Sequence, residues 1–171
     1  MMMSRSDPHT GARASTPATI ALAQAGVAFW THQFDHEPVE RGFGKIAASA
    51  LGHDPERVFK TLLASADGGS TEMVVGIVPV SGQLSLKELA GAVGLKRLQM
   101  CQPAVAERVT GYVVGGISPF GQRKLLPTVI DETCELFDTI FVSGGKRGFD
   151  IEIAASDLIT VLQAIVAPIG V

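Results

Sequence analysis

Two apolar runs, Val58–Ala64 and Glu72–Val80, stand either side of Asp67-Gly68-Gly69-Ser70. Runs of that length separated by an Asp-Gly-Gly turn predict a hairpin of two buried strands. This pair constrains the rest of the chain, because a sheet buried on both faces needs covering layers. The surrounding sequence supplies them in short pieces. A helix is predicted to open at Thr16-Pro17, with Thr as N-cap and Pro in the first turn, and to close at Gly26. Val27–Phe34 reads as a strand, and Lys45–Leu51 as an Ala-rich helix stopped by Gly52. Ser85-Leu86-Lys87-Glu88 is a capping box opening a helix to Val93, and Pro103–Val109 a further short helix. Leu95–Met100, Tyr112–Ile117, Thr128–Asp131, Thr139–Val142 and Phe149–Ile153 read as brief strands, and Ser156–Val166 as a closing amphipathic helix. Regular βαβ alternation is absent. The expectation is a mixed α+β fold with a mostly antiparallel, partly closed sheet and flanking helices. Residues 1–15 read as a flexible tail and 16–171 as one domain.

Composition narrows the function classes. No segment approaches the roughly 18 apolar residues of a membrane span, and the N-terminal residues lack the apolar core of a secretory signal, so a cytoplasmic protein is expected. Cys101 and Cys134 fit reduced thiols better than a disulfide framework. The formal net charge of −3 argues against a broad nucleic-acid-binding face, so any contact with a polynucleotide should be small and local.

Chemistry is sparse. Lys60 interrupts the buried run Val58–Ala64. A snorkelling lysine and a cation facing a pocket both satisfy that pattern, and the pattern alone favours the first. Gly115-Gly116, Gly144-Gly145 and Ser81-Gly82 could bring backbone N–H groups close to a ligand, or could simply be tight turns. None forms a P-loop. Asp150 and Glu152 share one face of a predicted strand, with a solvated outer face the plainer reading and a pocket the sharper one. Lys146 and Arg147, with Arg123 and Lys124, could supply a local positive patch. There is no Gly-x-Ser-x-Gly elbow, neither cysteine has an adjacent His, and His32 and His36 lack partners that would complete a metal site. No protein nucleophile, metal or cofactor is expected.

Three blocks carry a resemblance. Val58-Phe59-Lys60-Thr61-Leu62, Thr110 to Pro119, and Val142 to Glu152 are similar to the signature segments of the YbaK/EbsC family, and within it to the branch that deacylates Cys-tRNA(Pro). The resemblance implies a fold related to the editing domain of some prolyl-tRNA synthetases. It implies that Lys60 is the residue on which deacylation depends, and that Phe34, Thr61, Gly115, Gly116, Ser118, Ser143 and Asp150 line a pocket for the aminoacyl 3′ end of tRNA. It implies attack by the substrate's own cysteine thiol, and prolyl-tRNA synthetase as a partner. Phe34 stands where the family often has Tyr, which removes a hydroxyl from the expected pocket. A deacylase for another misacylated tRNA such as Ala-tRNA(Pro), and a non-catalytic module that binds tRNA ends, remain the competing readings.

Overall fold

The computed structural model describes residues 15–35 and 43–171. Residues 1–14 of the expected tail and the candidate ligand His36 fall outside the described residues. The elements in order are α1 (Pro17–Ala25), β1 (Phe29–Gln33), α2 (Phe43–Leu51), β2 (Phe59–Ser65), β3 (Val74–Pro79), α3 (Leu86–Ala92), β4 (Gln99–Met100) and α4 (Pro103–Thr110). They continue as β5 (Thr128–Asp131), a 3-10 turn (Glu132–Leu136), β6 (Thr139–Lys146), β7 (Phe149–Ala154), α5 (Ala155–Leu162) and β8 (Ile165–Ala167). The fold is mixed α+β, with one sheet ordered β1-β7-β6 and a second ordered β4-β2-β3-β5-β8. Pairing is antiparallel in the first sheet, and parallel only at β3–β5 and β5–β8 in the second. An isolated parallel bridge between Val58 and Phe141 joins the sheets where β2 begins.

The hairpin that anchors the second sheet forms as its sequence dictates. Phe59 to Ala64 pairs with Pro79 to Val74. In the turn, the Asp67 carboxylate accepts hydrogen bonds from the Gly69 and Thr71 amides, an arrangement Asp favours because its short side chain reaches its own downstream backbone. In α1 the Thr16 hydroxyl accepts from the Thr19 amide, and Gly26 closes the helix at φ 71°. In α3 the Ser85 hydroxyl caps the Glu88 amide.

Three expectations are corrected. Tyr112–Ile117 is not a strand: Gly111 ends α4 in the left-handed region at φ 82°, and a turn follows in which the Gly116 amide donates to the Val113 carbonyl. Leu95–Met100 pairs only at Gln99 and Met100, against Ser65 and Ala64. The last helix stops at Leu162, capped by Gln163 at φ 50°, and Ile165–Ala167 becomes a strand parallel to β5. In that segment, tertiary pairing with β5 overrides the apolar periodicity that reads as continued helix.

The main core lies between the sheets and under α1, α4 and α5, with Ile77, Phe120, Ile130, Ile140, Ile151 and Leu158 among its fully buried members. The β1-β7-β6 sheet turns Ile151 and Ile153 toward that core, and Phe149, on the same face of β7, is also buried. The alternation of a strand then puts Asp150 and Glu152 on the opposite face. That face is not solvated: Asp150 is 7% and Glu152 4% exposed. Ala48 and Leu51 of α2 form an apolar cluster with Val58, Val80 and Phe141 on the same side. Two acids are therefore carried into the interior by a strand whose other face is wholly apolar.

Candidate functional site

A cavity of about 500 Å³ opens along β2 and extends to the Phe34 position, the turn at Gly115 and the β6–β7 turn. The short strand β4 covers β2 only at Ala64 and Ser65, so the beginning of β2 presents an edge as well as its side chains to the cavity. Lys60 is half-buried there. Its ammonium donates a hydrogen bond to the Gly82 carbonyl at 2.8 Å. Burial, and then the neighbouring charge of Lys45, hold its pKa below the usual lysine value. The snorkelling reading therefore gives way to a cation tethered at the cavity wall.

Thr61, the next residue, is buried, and among the described residues its hydroxyl has no hydrogen-bond partner. A buried hydroxyl left unpaired costs about 1–3 kcal/mol, and one that lines a cavity is placed to be satisfied by what enters it. Asp150 lines the same cavity. Burial drives its pKa up to about 7, and the charge of His32 opposes the rise. Ser143 sits directly across from it on β6, and its hydroxyl accepts from the Gly145 amide at 3.2 Å. Phe34 is half-buried at the rim, and its amide donates to the Gly148 carbonyl at 3.0 Å.

The structure thus brings Phe34, Lys60, Thr61, Gly115, Ser143 and Asp150 to one cavity. Two expected residues stand elsewhere. Gly116 packs behind the wall, where an added Cβ would lie 2.9 Å from the Arg147 nitrogen and the Lys146 backbone. Ser118 is fully buried, with its hydroxyl accepting from the Phe120 amide at 3.3 Å. Both lie behind the part of the turn that lines the cavity, which is Val114, Gly115 and Ile117. Of the expected basic patch, Arg147 lines the cavity and binds the Val114 carbonyl through Nε and a terminal nitrogen at 3.0 and 2.8 Å. Lys146 and Arg147 also border an open groove at the mouth, together with Gln33 and Asp35. Arg123 lies instead beside Gly111.

The sequence places neither Lys45 nor Cys101 at the cavity, and the structure does. Lys45, at the start of α2, adds a second cation to the cavity; its place there depends on how α2 packs, which no local pattern encodes. Cys101 lines the wall with Met100, Pro103 and Ala106. Burial raises its pKa, so it serves as apolar surface and not as an activated thiol. Burial also pushes Cys134 up to about 11. Both cysteines are free. Among the described residues, no three His, Cys, Asp or Glu side chains gather as a metal site, and no helix is long and apolar enough to cross a membrane.

Residues 45–161 match the family model of the aminoacyl-tRNA editing domain. EbsC of Enterococcus faecalis, named as a candidate Cys-tRNA(Pro)/Cys-tRNA(Cys) deacylase, is 40% identical over 113 residues, 66% of this chain and 68% of its own length. The Escherichia coli multifunctional Ser/Thr-tRNA deacylase ProXp-y is 29% identical over 146 residues, 83% of this chain and 84% of its own. The solved structure of a candidate trans-editing enzyme for prolyl-tRNA synthetase superposes with a TM-score of 0.78 at 23% identity, over 92% of this chain and 99% of that one. That likeness is one of fold.

Proposed function

The chain belongs to the aminoacyl-tRNA editing domain family, and from that premise we propose that it is a free-standing deacylase that removes cysteine from mischarged tRNA(Pro). The observation that carries the reading is the tethered Lys60 cation in a cavity shared with an unpaired buried hydroxyl, Thr61, and a buried acid, Asp150. About 500 Å³ is in the range of a pocket for a small organic ligand, and here the ligand would be the aminoacyl adenosine at the tRNA 3′ end. Prolyl-tRNA synthetase is the proposed partner that presents the tRNA, since a chain of net charge −3 has little of its own with which to grip the body of a polynucleotide.

An aminoacyl ester is already reactive, so positioning and charge stabilisation suffice for its cleavage. In the proposed course the substrate's thiol gives up its proton, and the sulfur attacks its own carbonyl carbon. The Lys60 ammonium stabilises the oxyanion. The ester C–O bond then breaks, the ribose oxygen takes up the proton, and the amino acid leaves as a four-membered thiolactone that water later opens. Asp150, when ionised, holds the substrate's amino group. No protein nucleophile is needed, in keeping with the burial of both thiols.

A second reading, hydrolysis of seryl or threonyl esters, draws support from the Escherichia coli relative. Release from matched cysteinyl- and seryl-tRNA(Pro) separates the two. Thiol assistance predicts that the cysteinyl ester is cleaved at least about 100-fold faster, because a thiol is partly ionised near neutral pH and a hydroxyl is not. Equal rates would sink it.

A further inference from the structure

Behind Asp150 lies a cluster of charged side chains that the proposed chemistry leaves unused. Glu152, two residues along β7 on the same face, accepts hydrogen bonds from His32 Nε2 at 3.1 Å, from an Arg57 terminal nitrogen at 3.2 Å and from the Thr139 hydroxyl at 2.6 Å. Arg57 is held in turn by Thr139, whose carbonyl accepts from its Nε at 2.7 Å and whose hydroxyl lies against its other nitrogen. These bonds, with that to His32 foremost, draw the Glu152 pKa down to about 2. Phe141 supplies an aromatic floor. His53 stacks on it at 4.1 Å, His32 meets it edge-on at 5.2 Å, and the Arg57 guanidinium lies 5.0 Å from its centre.

His32 links this cluster to the cavity. On β1 it is the direct cross-strand partner of Asp150, which places the two side chains on one face at neighbouring distance. Its other neighbour on that face is Glu152, diagonally opposite. Neither His32 nor Glu152 lines the cavity, and Asp150 does. The Glu152 carboxylate thus holds the His32 ring across the strand pair from Asp150.

We propose that Glu152, clamped by Arg57 and Thr139, holds the His32 ring across the strand pair from Asp150, so that His32 and Glu152 are positioning residues that govern the charge Asp150 offers to a cationic group in the cavity. The purpose assigned to that charge, capture of the substrate's amino group, rests on the deacylase reading. The coupling itself does not. Other charges share the cavity with Asp150. Lys60 comes from β2, Lys45 from α2 and Arg147 from the β6–β7 turn, all on the cavity wall. His53 and Arg57, from the segment before β2, lie against Phe141, which pairs with Glu152 across the strands. His32 is distinguished by its seat directly across the strand pair, and its charge opposes the burial of Asp150.

The test follows the Asp150 side-chain carboxyl by carbon-13 NMR through a pH titration of the ligand-free protein, with Asp150→Asn assigning the signal. His32→Gln keeps an amide that can donate to Glu152 and removes the charge. The Asp150 midpoint should then move up by about half a pH unit or more. Glu152→Gln should move it less than His32→Gln does, because the amide oxygen still accepts from the His32 ring and the ring stays in place. The rise of cysteinyl-ester cleavage with pH should shift upward with it in His32→Gln, and KM should suffer more than kcat. A purely structural role would lower the melting temperature and leave the midpoint in place. An unmoved midpoint in His32→Gln overturns the proposal, and that variant carries the test alone if Glu152→Gln does not fold. Failure of the wild-type protein to cleave any ester would count against the deacylase reading only, since the titration uses no substrate.

Discussion

The Lys60 ammonium lies 2.8 Å from the carbonyl oxygen of Gly82, so the cation of the cavity is held by a turn that belongs to a different part of the sheet. That turn is itself secured from the end of the chain. Gln83 and Val171 exchange two backbone hydrogen bonds, each of 2.8 Å, and the Ser85 amide donates to the Ile169 carbonyl at 2.7 Å. The terminal segment is in turn tied to Asp131, whose carboxylate accepts from the Ile169 and Gly170 amides at 3.0 and 2.7 Å. A chain of hydrogen bonds therefore runs from Asp131 through the last three residues to the ammonium of Lys60.

Asp131→Ala should expose that chain. It strips partners from two backbone amides and also from Thr133, whose amide and hydroxyl share the other carboxylate oxygen. The expected cost is about 2–4 kcal/mol of stability, read by denaturant unfolding. At a temperature where the variant remains folded, kcat/KM should still fall, because the Gly82 carbonyl is no longer fixed. Full activity in the folded variant would show that the turn holds Lys60 unaided.

Asp150 makes a prediction of opposite sign. Its pKa stands near 7 in the folded protein through burial, above its unfolded value of 3.8. The folded state thus binds the extra proton between those limits. Stability attributable to this group is fully present below about pH 4 and is lost as pH rises toward 7. Asp150→Asn should flatten that dependence and stabilise the ligand-free protein at neutral pH by on the order of 1–3 kcal/mol, while cleavage drops. Thermal unfolding from pH 4 to 8 checks the first part. A destabilised Asn variant at pH 7.5 would contradict it.

Gly116 tests the distinction between lining and shaping the site. An alanine there would bring Cβ to 2.9 Å from backbone atoms of Lys146 and Arg147, which cannot swing aside as a side chain can. Gly116→Ala should displace the two turns relative to each other and cost about 1–3 kcal/mol. A melting temperature equal to that of the wild type would show that the turns yield freely.

Much of this was legible in the residues, for reasons that can be named. The β2–β3 hairpin, the Thr16 and Ser85 caps and the glycine helix ends are local, and local chemistry writes them plainly. Lys60 drew notice because a charge in a buried run needs a cause, and Asp150 because an acid alternated with Phe149 and Ile151. Tyr112–Ile117 is not a strand although its apolar composition suits one, because the left-handed cap at Gly111 and the left-handed backbone of Gly115 turn the chain away from any partner. Ile165–Ala167 became a strand because β5 offered an edge, and an edge is invisible in one dimension. Lys45 and Cys101 reach the cavity, and Arg57 reaches Glu152 from 95 residues away, only through tertiary packing.

The most direct measurement follows loss of labelled cysteine from Cys-tRNA(Pro), for the wild-type protein beside Lys60→Met, with prolyl-tRNA synthetase present and absent. Methionine keeps the length and apolar stem of lysine and removes the ammonium. The account predicts release by the wild type, and a fall of about 100-fold or more in Lys60→Met with its unfolding transition preserved. Undiminished release by the folded Lys60→Met protein, or no release by the wild type under either condition, would contradict it.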